Sequence, residues 1–108
     1  MDEITKLNGA DFQKEVLEAE RPVLIEFTAA WCAPCKMLDP VFQQLAQDWW
    51  GQAWFFKLDI DDNAELAMNY QVMSVPTLML FKNGQPVERV TGYQPKDRLE
   101  KKFSPHLS

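Results

Sequence analysis

Cysteine and histidine are scarce in this chain, which has two cysteines, Cys32 and Cys35, and one histidine, His106. That scarcity argues against a zinc site within one chain, because tetrahedral zinc needs four ligands. A permanent structural disulfide between Cys32 and Cys35 would close too short a loop to restrict the unfolded chain much. No apolar run approaches the length of a membrane-spanning helix. The N-terminal stretch has no apolar h-region and carries Asp2, Glu3, Asp11, Glu15, Glu18 and Glu20 instead. The expectation is therefore a cytoplasmic protein with no membrane partner. Basic residues are outnumbered, 11 Lys and Arg against 16 Asp and Glu, for a net charge of −5. That balance lacks the basic patch of a nucleic-acid binder. Repeats, linkers and low-complexity segments are also absent. At 108 residues and 46% hydrophobic content, one globular domain spanning residues 1–108 is expected.

The stretch Trp31-Cys32-Ala33-Pro34-Cys35-Lys36 is the most informative part of the chain. An apolar run, Val23-Leu24-Ile25-Glu26-Phe27, reads as a strand leading into it. Behind it, Leu38, Val41, Phe42, Leu45, Ala46 and Trp49 recur at helical spacing. The cysteine pair thus falls where a strand ends and a helix begins. There, free backbone N–H groups and the helix dipole stabilise a thiolate on the first cysteine. Cys35, three residues on, shares a helix face with it. Two thiols so placed can close a small ring and reopen it, and a C-x-x-C motif beside a βαβ pattern points to redox chemistry.

The remaining elements follow from periodicity and turn chemistry. Residues 3–7 read as a short strand with Ile4 and Leu7 inward, broken by Asn8-Gly9. Phe12, Val16 and Leu17 mark a short helix ending before Pro22. The Val23–Phe27 strand is apolar on both faces, as a central strand would be. The helix from Ala33 to about Trp50 contains Pro40 and ends at Gly51. Residues 54–58 form the next strand, and Asp61 to Asn63 can cap a helix carrying Leu66, Ala67 and Tyr70. Residues 77–82 and 87–91 pair across Asn83-Gly84, a hairpin turn signal. Gly92 ends that strand, and Pro95 suits the first turn of a last helix with Leu99 and Phe103 inward. Residues from Ser104 onward are expected to fray. The order βαβαβαββα makes an α/β fold with one mixed sheet and helices on both faces.

With Trp31–Lys36, Ser74-Val75-Pro76-Thr77 and Lys82-Asn83-Gly84 in that order, the sequence resembles the thioredoxin family from about Ile4 to Phe103. The resemblance implies the thioredoxin fold, a five-stranded mixed β-sheet flanked by four helices. It implies a protein-disulfide reductase acting through a mixed disulfide, with disulfide-containing proteins as substrates and a thioredoxin reductase as electron donor. No bound cofactor or metal is implied beyond the redox-active disulfide Cys32–Cys35, and a monomer is expected. The family's attacking cysteine falls on Cys32, its resolving cysteine on Cys35 and its cis-proline on Pro76. Its substrate-contact surface falls on Trp31, Val75, Gly92 and Tyr93. Ala33 stands where most members have glycine, Glu26 where they have a buried aspartate, and Thr28 where many have a second tryptophan.

The residue chemistry agrees with these assignments. A carboxylate within Val-Leu-Ile-Glu-Phe is costly to bury, and burial raises its pKa towards the range of a useful proton acceptor. Glu26 is thus the candidate base for Cys35, and Lys57 on the neighbouring strand its expected charge partner. An exposed Glu26 on an edge strand, or one merely paired with Lys57, is the structural alternative. Lys36 can add positive charge near Cys32, whereas Pro34 adds neither charge nor donor. Trp31 shields Cys32 or fills core. Met37, Met73 and Met79 are expected to pack, as are Trp49, Trp50 and Trp54. An exposed Trp50 would mark a second partner surface instead. Two other functions compete: a dithiol oxidase or isomerase of secreted proteins, and a non-catalytic clamp for a larger enzyme. The first would want a signal peptide and a histidine at position 34. Intact cysteines favour catalysis over the second.

Overall fold

The computed structural model describes residues 4–107, so Glu3, the expected start of the first strand, lies outside the described residues. The sheet contains β1 (Thr5–Lys6), β2 (Val23–Thr28), β3 (Trp54–Asp59), β4 (Thr77–Lys82) and β5 (Gln85–Thr91). Their order is β1-β3-β2-β4-β5. β3 runs parallel to β1 and β2, whereas β4 is antiparallel to β2 and β5 to β4. The all-apolar stretch of β2 is explained by its place in the middle, where Val23 to Phe27 are all buried. Three α-helices, α1 (Ala33–Asp48), α2 (Ala64–Asn69) and α3 (Lys96–Phe103), and a helical segment over residues 9–17 cover the sheet.

Strand alternation sorts the core into two layers. Leu24, Leu78 and Leu80 pack with Leu38, Phe42 and Leu45 of α1 and with Leu99 and Phe103 of α3. Val23, Ile25, Phe27, Met79 and Phe81 face the other way, onto Phe12, Val16, Leu66 and Tyr70. Each such large side chain contributes roughly 1.5–3 kcal/mol by leaving water. Lys57 has the same parity as Phe55, which packs on the α1 layer, and Glu26 the same parity as Leu24. Both therefore project from the sheet towards α1.

Several elements differ from the expectation. Residues 9–17 are not one regular helix but a 3-10 turn, Gly9–Asp11, followed by a wider π-type turn, Gln13–Leu17. The Gly9 N–H is drawn onto Asn63 Oδ1 at 2.9 Å. Phe12 lies edge-on to Phe81, which orients the start of the wider turn. α1 runs through the exposed Pro40 and stops at Asp48, and Gly51 takes the left-handed conformation (φ 86°). β5 begins at Gln85 rather than Val87 because Asn83 and Gly84, both at positive φ, make a tight turn. A bulge then absorbs the register near Pro86, tolerated because β5 is an edge strand. Pro95 caps α3 from outside its first turn.

The C-terminus does not fray over the described residues. Ser104–His106 form a 3-10 turn, Leu107 packs on the core, and His106 Nε2 lies 3.3 Å from Glu88 Oε1. Of the three tryptophans expected as core filling, only Trp49 is buried. Trp50 is 75% exposed, and Trp54 lies at the surface beneath the Arg21 guanidinium, 4.8 Å from its ring. A cleft of about 620 Å³ runs between them and Ile4.

Candidate active site

The chain leaves β2 at Thr28, turns back on itself, and enters α1 with Cys32 as the N-cap. The turn is held by the Cys32 N–H donating to Ala29 O at 3.2 Å. Cys32 and Cys35 form a closed disulfide with Cα atoms 5.3 Å apart. The Cys35 N–H, one of the donors of the first helical turn, donates to Cys32 Sγ at 3.1 Å, where it would favour negative charge on that sulfur. Ala33 and Pro34 occupy the exposed first turn, where a missing N–H costs nothing. Lys36 is exposed on the same turn, and its N–H makes the first helical bond, to Cys32 O. Ala29, Ile60 and Val75 pack around the two sulfurs.

Val75 belongs to the loop before β4, and its peptide bond to Pro76 is cis, as the resemblance implies. Gly92 at the end of β5 donates from its N–H to Pro76 O at 2.7 Å. Two distant stretches, 75–76 and 92–93, therefore meet, with Tyr93 partly exposed at the rim. The Thr77 hydroxyl closes the loop by donating to Ser74 O at 2.8 Å. Trp31 is 68% exposed and is not core; its Nε1–H donates to Asp61 Oδ2 at 2.8 Å. Asp61 is itself held because Asp59 Oδ1 accepts from the N–H groups of Asp61 and Asp62. Met73, three residues before Pro76, is 91% exposed, and Met37 also lies at the surface; of the three methionines expected to pack, only Met79 does.

Glu26 is 0% exposed, and neither of its carboxyl oxygens has a hydrogen-bond partner. The edge-strand alternative is therefore wrong. Burial pushes its pKa up to about 8, the negative charge of Asp39 adds to the rise, and Lys57 opposes it. Lys57 lies opposite Glu26 in the strand register, yet its ammonium is paired with Asp39 Oδ1 at 2.8 Å. The direct partner of Lys57 is thus an aspartate of α1, not Glu26. Among the described residues no cluster of His, Cys, Asp and Glu could hold a metal ion.

Three residues of this site were not singled out from sequence: Asp39, Asp61 and Ile60. Asp39 carried a usable signal, four residues after Cys35 and hence on the same helix face. Asp61 read only as a helix cap, and no side-chain cap forms at α2.

A thioredoxin family model matches residues 3–104. Thioredoxins of Staphylococcus aureus strains N315 and COL are each 47% identical over 104 residues, covering 96% of this chain and 98% of theirs. With its Cys-x-x-Cys centre intact and its sheet in the expected order, the chain belongs to the thioredoxin family of thiol-disulfide oxidoreductases.

Proposed function

We propose that Cys32 is the nucleophile of protein-disulfide reduction, Cys35 the resolving thiol and Glu26 the acceptor of its proton. The Cys32 thiolate attacks one sulfur of a substrate disulfide, forming a mixed disulfide and expelling the other sulfur as a thiolate. Cys35 gives its proton to the ionised Glu26 and attacks the Cys32 sulfur. The second substrate thiolate leaves, and Cys32–Cys35 is the oxidised product. Two electrons have passed to the substrate, and a thioredoxin reductase returns them. Lys57 moderates the charge of Glu26 from the adjacent strand. Trp31, Val75, Pro76, Gly92 and Tyr93 receive the substrate chain, while Ala33, Pro34 and Lys36 shape the first turn. The protein acts as a cytoplasmic monomer and single domain, since each copy carries both thiols and the reducing cytosol is where such a donor is recharged.

The observation that supports this reading is the Cys35 N–H aimed at Cys32 Sγ, a donor that would stabilise thiolate charge on that sulfur. Insulin reduction driven by dithiothreitol tests it. Wild-type protein should accelerate precipitation of the insulin B chain, and Cys32→Ser should not. Acceleration by Cys32→Ser at the wild-type rate would contradict the assignment.

A further inference from the structure

The buried carboxyl on β2 faces a counter-ion that is already engaged. Strand pairing places Lys57 directly across from Glu26, and both side chains project towards α1. An ammonium so placed would ordinarily satisfy a buried carboxylate. Instead Lys57 Nζ is 2.8 Å from Asp39 Oδ1, and both oxygens of Glu26 remain without a partner. Asp39 is half-exposed, at the outer end of this pair, and lies one helical turn after Cys35. The charged groups acting on Glu26 are Asp39 from α1 and Lys57 from β3. β4 offers Leu78 in register, and α3 covers this layer with Leu99 and Phe103, while Cys35 of α1 sits in its disulfide in the adjoining cluster of Ala29, Ile60 and Val75.

We propose that Asp39 is a positioning residue: it anchors the Lys57 ammonium at the outer end of the cluster and so withholds from Glu26 the counter-ion that the strand register offers. The proposal rests on Glu26 as the proton acceptor for Cys35. Asp39 makes Glu26 hold its proton more tightly in two ways, through its own negative charge and by occupying Lys57. Burial raises the Glu26 pKa most, and Asp39 adds to that rise, so the carboxyl ionises as pH rises through about 8 and is a strong proton acceptor once ionised. Without Asp39, Lys57 is free to turn to Glu26, and the carboxyl ionises at lower pH.

The test is Asp39→Asn, which keeps the size of a half-exposed side chain and removes its charge. The Glu26 carboxyl is titrated by carbon NMR in the oxidised protein, where Cys35 cannot ionise. Its midpoint should fall by at least about half a pH unit, the scale of one charge acting over several ångströms in a partly solvated site. Asp39→Glu should restore most of it, and Lys57→Met should move it upward. In the Lys57→Met background, Asp39→Asn should have a clearly smaller effect. A midpoint unmoved by Asp39→Asn overturns the proposal, including the case where only thermal stability drops. An undiminished effect in the Lys57→Met background overturns its route through Lys57. The pH profile of mixed-disulfide resolution should shift with the NMR midpoint. If the midpoint moves and that profile stays, Asp39 keeps its hold on the proton and the acceptor role of Glu26 falls.

Discussion

Cys32 and Cys35 are chemically identical and three residues apart, yet the fold makes them unequal. Cys32 Sγ receives a backbone N–H, and Cys35 contributes that N–H from its own main chain. Cys35→Ser should therefore accumulate a stable mixed disulfide through Cys32 when given an oxidised substrate, and Cys32→Ser should trap far less, as read by non-reducing electrophoresis. Glu26 carries a second prediction. Its folded pKa of about 8 lies above the ordinary 4.5. The folded state thus keeps a proton that the unfolded chain has lost, and stability falls as pH rises from 4.5 through about 8. The full loss is on the order of 5 kcal/mol. Urea unfolding from pH 5 to 9 should show this decline in wild type, and Glu26→Ala should flatten it whatever its absolute stability. An unchanged slope in Glu26→Ala would place the buried proton elsewhere. The burial of Glu26 was legible because an acid inside a central apolar strand has nowhere exposed to go. The Asp39–Lys57 pair was not, since it joins a helix to a strand 18 positions away whose relative placement only packing decides.

Elements were legible where their signals are local. β2, β4, the Asn83-Gly84 turn and the apolar face of α1 all follow from patterns within a few residues. The segment at 9–17 did not, because its tight entry depends on Gly9 meeting Asn63. The start of β5 was hidden by Pro86, which reads as a strand breaker until the strand is known to be an edge. Gly84 offers a test of how strictly these elements fit. It sits at φ 78°, and a Cβ there would come within 2.8 Å of the Leu17 carbonyl oxygen. Gly84→Ala should cost more than about 1 kcal/mol, because backbone conformation and a backbone clash both oppose it. The expected reading is a lower urea midpoint with an unchanged m-value. A variant as stable as wild type would mean that the hairpin and the 9–17 segment are not held together as described.

At the scale of the molecule, a mixed sheet brings together one cysteine helix and two loops, 75–76 and 92–93, that are far apart in sequence. The three short motifs made that assembly legible through the family resemblance, not through residue physics alone. Exposed aromatics were the opposite case: composition favoured core for Trp50 and Trp54, and their places in the turn after α1 and at the first position of β3 leave them outside. The central claim is that the dithiol is a reductant. Strong thiolate stabilisation makes a dithiol oxidising, and here Cys32 Sγ has one backbone donor, the helix terminus and an exposed Lys36, with Pro34 adding no donor. Ala33 in place of glycine changes backbone freedom by at most about 1 kcal/mol, equivalent to about 20 mV. Set against about −270 mV, the value already known for thioredoxins, the Cys32–Cys35 couple should lie between about −290 and −240 mV. Equilibration of the purified protein against glutathione buffers measures it directly. A potential in that window is the predicted result, and one more oxidising than about −200 mV, in the range of isomerases and oxidases, would contradict it.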